Sequence, residues 1–232
     1  MSWLDGPMLA IDTESTGTDP TEARIVQVTM GASARPGHWQ PWTRVVNPGV
    51  LIPEAASAVH GYTDSRVQSD GLAPADVLIE AHVTLRQAAQ RGIPIVAHNA
   101  SYDLTLLDRE FRRHLGVGVP DGLIVLDTLV LYRRFDWTTG GRSLGKLAAR
   151  HGIEFPAHDA EADALASLRL LHILAGINDV LPLIPADVLH VAQMGWWQQQ
   201  QDVAESKAFG NGEPFTRQPH WPLIPRDKEE AA

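Results

Sequence analysis

Apolar residues recur along this chain in two rhythms, and the change from one to the other predicts its architecture. The first part alternates with the period of two that marks strands. Pro7 to Asp12 reads as a short buried strand running into a polar, glycine-containing turn at Ser15–Pro20. Ile25 to Ala32 and Trp39 to Val46 are two further strands, and the turn at Ala34–Gly37 makes them an antiparallel pair. Asn47 to Ala73, broken by Pro48, Gly49, Pro53, Gly61 and Gly71, reads as loop.

The period then lengthens. Pro74 opens a helix to about Gln90, with Val77, Leu78, Ala81 and Leu85 on one face. A buried strand is predicted at Ile93–Ala97, a helix at Ala100–His114 and a strand at Gly122–Leu126. Helical pieces follow near Thr128–Arg134 and Ser143–His151. Leu165, Leu168, Leu171 and Leu174 mark the buried side of a strong helix from Glu161 to Ala175. Strands alternating with helices imply parallel strands joined by helical crossovers. With the antiparallel start, the expected fold is α/β: a mixed sheet with helices on both faces.

From Ile177 the character changes again. Leu181–Pro185 is punctuated by proline, Val188–Ala208 suits a helix, and 209–232 is rich in Gly, Pro and charge. The expected division is a main domain over 1–176, then a C-terminal helical extension and flexible tail over 177–232. The tail is expected to be flexible or to lie on the surface.

Composition narrows the function classes. The 232 residues are 44% apolar, enough for a core. No apolar run reaches the roughly 18–20 residues of a membrane helix. The start MSWLDGPMLAID has neither a basic region nor a signal-type apolar block, so a cytoplasmic protein is expected. The absence of cysteine excludes disulfides and thiolate metal sites. A net charge of −9 argues against a protein that grips long duplex nucleic acid. It suits a site that binds cations and a short stretch or end of a strand. The charge is uneven: Arg109, Arg112, Arg113, Arg133, Arg134, Arg142, Lys146 and Arg150 make a central basic stretch. That stretch either faces phosphates or forms a solvated helix surface.

Three separated pieces carry the chemistry. Asp12 and Glu14, two apart at the end of a strand, point to one face at the carboxyl edge, where open α/β sheets bind ligands. In HNASYD, Asn99 is placed to cap the next helix, with Asp103 in its first turn or so. In AHDAEAD, His158 approaches a helix and Asp163 lies about a turn inside it, within reach of one site. Asp159 and Glu161 compete as ligands or serve as acids at the helix start. Each piece alone has a dull local explanation.

Together the pieces resemble the DEDDh class of 3′-to-5′ exonucleases, which includes the proofreading epsilon subunit of bacterial DNA polymerase III. IDTESTG (11–17), HNASYD (98–103) and HDAEAD (158–163) look like its three motifs. VHGYTD (59–64), LDTL (126–129) and SLGKLAARHGI (143–153) resemble its intervening segments. The resemblance runs from about Pro7 to Ala175. Ser15 stands where the family often has Thr, Gly145 replaces a common acid, and Glu54 is the nearest match to an acid ahead of the His-Gly segment.

The resemblance implies a ribonuclease H-like five-stranded sheet, its first three strands antiparallel and the rest parallel. It implies metal-dependent hydrolysis at 3′ ends of single-stranded nucleic acid, DNA above all, releasing 5′-mononucleotides. Asp12, Glu14, Asp103 and Asp163 would hold two Mg²⁺ or Mn²⁺ ions, and His158 would act as base. Thr13, Ser15, Thr16, His60 and Asn99 would bind the terminal nucleotide, while His98 supports the site. A DNA polymerase is the implied partner through 177–232, with Trp196, Trp197 and Trp221 as anchors; alternatively these tryptophans pack that helix on its own domain. Two other classes stand beside this reading: an RNA-directed exonuclease of the same superfamily, and a non-catalytic binding module.

Overall fold

The computed structural model describes residues 3–35, 37–136, 140–218 and 220–225. Its centre is a five-stranded sheet in the order β3-β2-β1-β4-β5. The strands are β1 (Met8–Ser15), β2 (Ile25–Ser33), β3 (Gln40–Val45), β4 (Ile95–Ala97) and β5 (Val125–Asp127). β1 pairs antiparallel with β2 and β2 with β3, while β1–β4 and β4–β5 are parallel. The mixed α/β sheet expected from the two rhythms is therefore present. Pro41 lies in β3, an edge strand, where a residue without an amide hydrogen is tolerated.

The long helices are α3 (Pro74–Arg91), α4 (Ala100–Leu115) and α7 (Ala160–Ile177). Between β3 and α3 come two short helices, α1 (Glu54–His60) and α2 (Asp64–Asp70). The loop expected over Asn47–Ala73 is corrected there. Each of these helices is seven residues long and buries one side chain, His60 or Val67, so neither leaves an apolar stripe to read. Gly61, at φ 74°, ends α1 in the left-handed conformation that favours glycine. Short α5 (Thr128–Phe135) and α6 (Leu144–Arg150) precede α7.

The two faces of the sheet build two cores. Leu9, Ile11, Ile95 and Ala97 pack with Leu78, Leu85, Leu104 and Leu107 of α3 and α4. Met8, Ala10 and Val96 face Leu168, Leu171 and Leu174 of α7. Burial on each face follows the period-two alternation of the strands.

The C-terminal helix α8 (Ala186–Asn211) lies along the open edge at β5. Its side chains replace the missing neighbouring strand. Val125 N donates to His190 Nδ1 at 3.1 Å, and Asp127 N to Gln193 Oε1 at 2.8 Å. Gln193 Nε2 donates back to Val125 O at 2.8 Å. An edge that invites pairing with another chain is thus satisfied from within. Trp197 and Trp221 are buried in the core beside α4, with Trp196 partly buried against both cores. Ile224 N donates to Thr105 Oγ1 and Arg109 donates to Ile224 O, which ties the described tail to α4. Residues 226–232 lie outside the described residues. Among the described residues, no helix is long and apolar enough to cross a membrane.

Candidate active site

β1 runs three residues further than its apolar stretch suggests, so Asp12 and Glu14 both stand on the strand itself. They share the face that looks toward α7. The pairing with β2 shifts register between Glu14 and Ser15, and the polar turn begins there. From α7, Asp163 approaches in the first turn, and Asp159 caps the helix by accepting from Ala162 N at 3.1 Å. Asp103 comes from the first turn of α4, on the opposite face. Thr13, whose side chain points to that face, donates its hydroxyl to Asp103 Oδ1 at 2.7 Å. The acids of both faces therefore meet around the end of β1.

The cluster holds negative charge under strain. Glu14, Asp103 and Asp163 are buried and Asp12 is partly buried. Burial, and then the neighbouring Asp103, Asp163 and Glu14, hold the Asp12 carboxyl well above its ordinary range. Burial also pushes Glu14 up to about 8, with Asp163 and Asp103 adding to it. Asp103 rises to about 7 through burial, opposed by the Thr13 hydroxyl. Asp163 rises to about 6, again through burial, opposed by the His158 N–H. No lysine or arginine forms an ion pair with these four among the described residues. Acids brought this close without a counter-charge take up protons unless a cation joins them.

Their donors fit such a cation. Ligand atoms of Glu14, His158 and Asp163 lie within 4.8 Å of one another. Asp163 Oδ1 is buried with no hydrogen-bond partner. An oxygen-rich set of this kind suits a hard divalent ion. Asp12 and Asp103 stand outside that group of three, as do Asp159, which is spent on the cap, and Glu161, which accepts from Thr43 of β3 at 3.1 Å.

Two other features gather here. Asn99 and His158 are the non-glycine residues with positive φ among the described residues, at 70° and 66°. Left-handed backbone at such residues concentrates at functional sites, where the surroundings hold it. His158 is exposed, and its backbone N donates to Asp163 Oδ2 at 3.2 Å. His60 is buried: Nε2 donates to Ser15 O at 3.2 Å, and Nδ1 accepts from Tyr62 N at 3.1 Å. Burial, with a smaller contribution from His158, lowers the pKa of His60 against the Ser15 bond, which favours its neutral form.

Residues 9–171 match the family model described as exonuclease, RNase T. The chain belongs to the exonuclease family. The membership expected from the three motifs is borne out. The exonuclease chain is 35% identical over 176 residues to a DNA polymerase III subunit epsilon-like protein of Rhodobacter capsulatus, covering 72% of this chain and 24% of that protein. It is 26% identical over 173 residues to a PolC-type DNA polymerase III of Streptococcus thermophilus, covering 74% of this chain and 11% of that one. It thus spans about a quarter or less of these relatives. Exonuclease I of E. coli, solved in complex with a dT13 oligonucleotide, superposes with a TM-score of 0.66 at 20% identity, over 76% of this chain and 42% of that one. Exonuclease I of Methylocaldum szegediense gives 0.63 at 23% identity, over 76% and 42%. These two likenesses speak for the fold.

Several bonds that shape the exonuclease site cannot be read from the motifs that hold their residues. Asn99 occupies the N-cap of α4 but makes no side-chain cap bond, contrary to the capping role expected of it. Its left-handed backbone turns the helix start toward Asp127, whose carboxylate accepts from Asn99 N and Ala100 N at 3.0 Å each. Asp127 also caps α5 through Leu129 N and accepts from Trp221 Nε1 at 3.1 Å. The available signal was an acid directly after an apolar strand, within LDTL. Tyr102 is likewise unannounced: its hydroxyl bonds Ser15 Oγ and Gly17 O, fastening the turn after β1 to α4. Thr16 Oγ1 accepts from Arg24 N at 2.9 Å, closing the same turn. His98 is held by Thr128 Oγ1 at 2.8 Å and Arg142 O at 2.9 Å, off the acidic cluster.

Proposed function

We propose that this chain hydrolyses the terminal phosphodiester bond at 3′ ends of single-stranded DNA and releases 5′-mononucleotides. The observation that carries it is a cluster of four carboxylates with no Lys or Arg ion pair among the described residues, flanked by an exposed histidine. Asp12, Glu14, Asp103 and Asp163 would hold two Mg²⁺ or Mn²⁺ ions. Such ions, when bound, favour hydroxide over water and offset charge on the leaving 3′ oxygen.

The protein's own groups divide the remaining work. His158 accepts the proton of the attacking water as the new P–O bond forms, and its solvent exposure lets it pass that proton on. The bond to the 3′ oxygen then breaks. That oxygen takes a proton from solvent and stays on the shortened strand as its new 3′ hydroxyl, and the mononucleotide leaves with its 5′ phosphate. Thr13 fixes the rotamer of Asp103. Because that hydroxyl is engaged, the backbone of Thr13 is the part left for the nucleotide. Ser15, Thr16, His60 and Asn99 line the approach; both ring nitrogens of His60 are engaged, so it offers the nucleotide a neutral ring face that does not repel an ion. A polymerase partner belongs to the same reading, reached through surfaces other than the buried Trp197 and Trp221.

The test uses 5′-labelled DNA strands, with free or blocked 3′ ends, in Mg²⁺ or Mn²⁺. We expect stepwise shortening of the free strand alone. Equal shortening of the blocked strand would overturn the polarity. Faster loss of a matched RNA strand would move the assignment to an exoribonuclease, and inertness toward every strand would favour a binding module.

A further inference from the structure

Beside the acidic cluster lies a cleft of about 1110 Å³ between α5, the start of α6 and α8. Its floor includes His98 and Asn99, at the end of β4. β1 and β4 pair through Leu9–Ile95 and Ala10–Val96, so His98, just past the end of β4, follows Val96 by two positions as Asp12 follows Ala10 on β1. The cleft therefore opens next to the carboxylates.

Its charge is the reverse of the molecule's. The chain carries −9 overall, yet Arg133, Arg134, Arg142 and Lys207 line the cleft and no described carboxylate does. The rest of the central basic stretch is largely neutralised elsewhere. Arg109 and Arg112 pair with Asp108, Arg113 with Glu110, and Arg150 with Asp136, which Arg142 also reaches at 3.6 Å. The acids of α8 that come nearest in sequence, Asp202 and Glu205, are held by Arg217. The cations of the cleft favour an incoming anion.

Aromatic faces accompany the cations. Trp196 is partly buried, with the Arg134 guanidinium 5.4 Å from its ring centre, and Phe215 stands at the cleft with 36% of its surface exposed. Gln200 Oε1 is buried beside the cleft with no hydrogen-bond partner. Basic side chains alternating with stacking platforms are the means by which proteins hold a single strand without reading its sequence. From Trp196 to Lys207, α8 rises about 16 Å, room for a few nucleotides.

We propose that this cleft is the bed for the DNA strand on the 5′ side of the nucleotide being removed. Arg133, Arg134 and Lys207 take its phosphates, and Trp196 and Phe215 stack its bases. The proposal rests on the 3′-exonuclease reading and assigns α8 a role in binding besides covering the sheet edge.

The experiment compares wild type with Lys207→Glu, an exposed position, and with the double variant Arg134→Glu/Lys207→Glu. The probes are a dinucleotide and a 5′-fluorescein strand of about twelve thymidines. We expect the double variant to raise KM and Kd for the long strand about tenfold or more while turnover of the dinucleotide stays unchanged. Lys207→Glu alone should shift both in the same direction. The salt dependence of long-strand binding should flatten by about 0.7 in log–log slope for each phosphate no longer neutralised. Unaltered long-strand affinity in both variants, with wild type active, would overturn the cleft and leave the exonuclease reading standing. Equal losses on the dinucleotide and the long strand would also overturn it. Wild type that cleaves neither probe would bring down both.

Discussion

His158 shows how a single position can join chemistry to backbone geometry. Its φ of 66° is a conformation most side chains resist, and glycine adopts it freely. The neighbouring bond, from His158 N to Asp163 Oδ2, needs that backbone and not the imidazole. His158→Gly is therefore expected to keep stability within about 1 kcal/mol, since relief of strain offsets added freedom in the unfolded chain. Its turnover should fall by a factor of about 10² to 10⁴, the usual worth of a positioned base. Denaturant unfolding and initial rates check the two halves; undiminished turnover would remove His158 from the mechanism. Sequence exposed this histidine through the spacing of HDAEAD but gave no sign of its left-handed backbone. Asp127 was legible only as an acid after a strand. Besides Leu129, its partners lie 27, 28 and 94 positions away, at Ala100, Asn99 and Trp221, and no local pattern encodes those three.

At the level of elements, Asp127 links β5, α4, α5 and the tail through four N–H donors. Removing a buried acceptor leaves those donors unsatisfied. We expect Asp127→Ala to lose about 3 kcal/mol or more of stability. In whatever protein remains folded, activity should fall as well, because the start of α4 sets the place of Asp103. Chemical denaturation and the rate measured well below the melting point separate the two effects. Unchanged stability would show that solvent takes over these bonds. The long helices were readable because each buries a regular stripe, such as Leu168, Leu171 and Leu174 on α7. α1 and α2 escaped because seven residues with one buried side chain carry no period. The position of α8 on the β5 edge was also hidden. His190 and Gln193 look like ordinary surface residues until they stand in for a strand.

The whole molecule ties stability to proton and metal. Glu14 moves from 4.5 to about 8, Asp103 from 3.8 to about 7 and Asp163 from 3.8 to about 6. Their folded-state values are raised, so the folded protein binds protons more tightly than the unfolded chain. The sign follows directly: stability is greatest at or below about pH 4, as far as these groups decide it, and declines as pH rises toward about 8. Metal-free protein should therefore show a Tm that falls between pH 5 and 8. Added Mg²⁺ or Mn²⁺ should restore it, most strongly at the upper end, because the ions bind the deprotonated cluster. Calorimetry with and without EDTA tests this. A Tm indifferent to pH and to both ions would argue that the carboxylates do not act as one site.

The sequence by itself determined the mixed sheet, the order of its elements and the identity of the acids. Those depend on local periodicity and on residue types at fixed spacing, both written along the chain. Only the tertiary structure decided that acids from opposite faces meet at the end of β1, that Asp127 anchors the start of α4, and that α8 closes the sheet. The basic cleft was settled at that level too, since its cations come from α5, the approach to α6 and α8. Each of these joins residues far apart in the chain, and their proximity arises only when the two cores pack against the sheet.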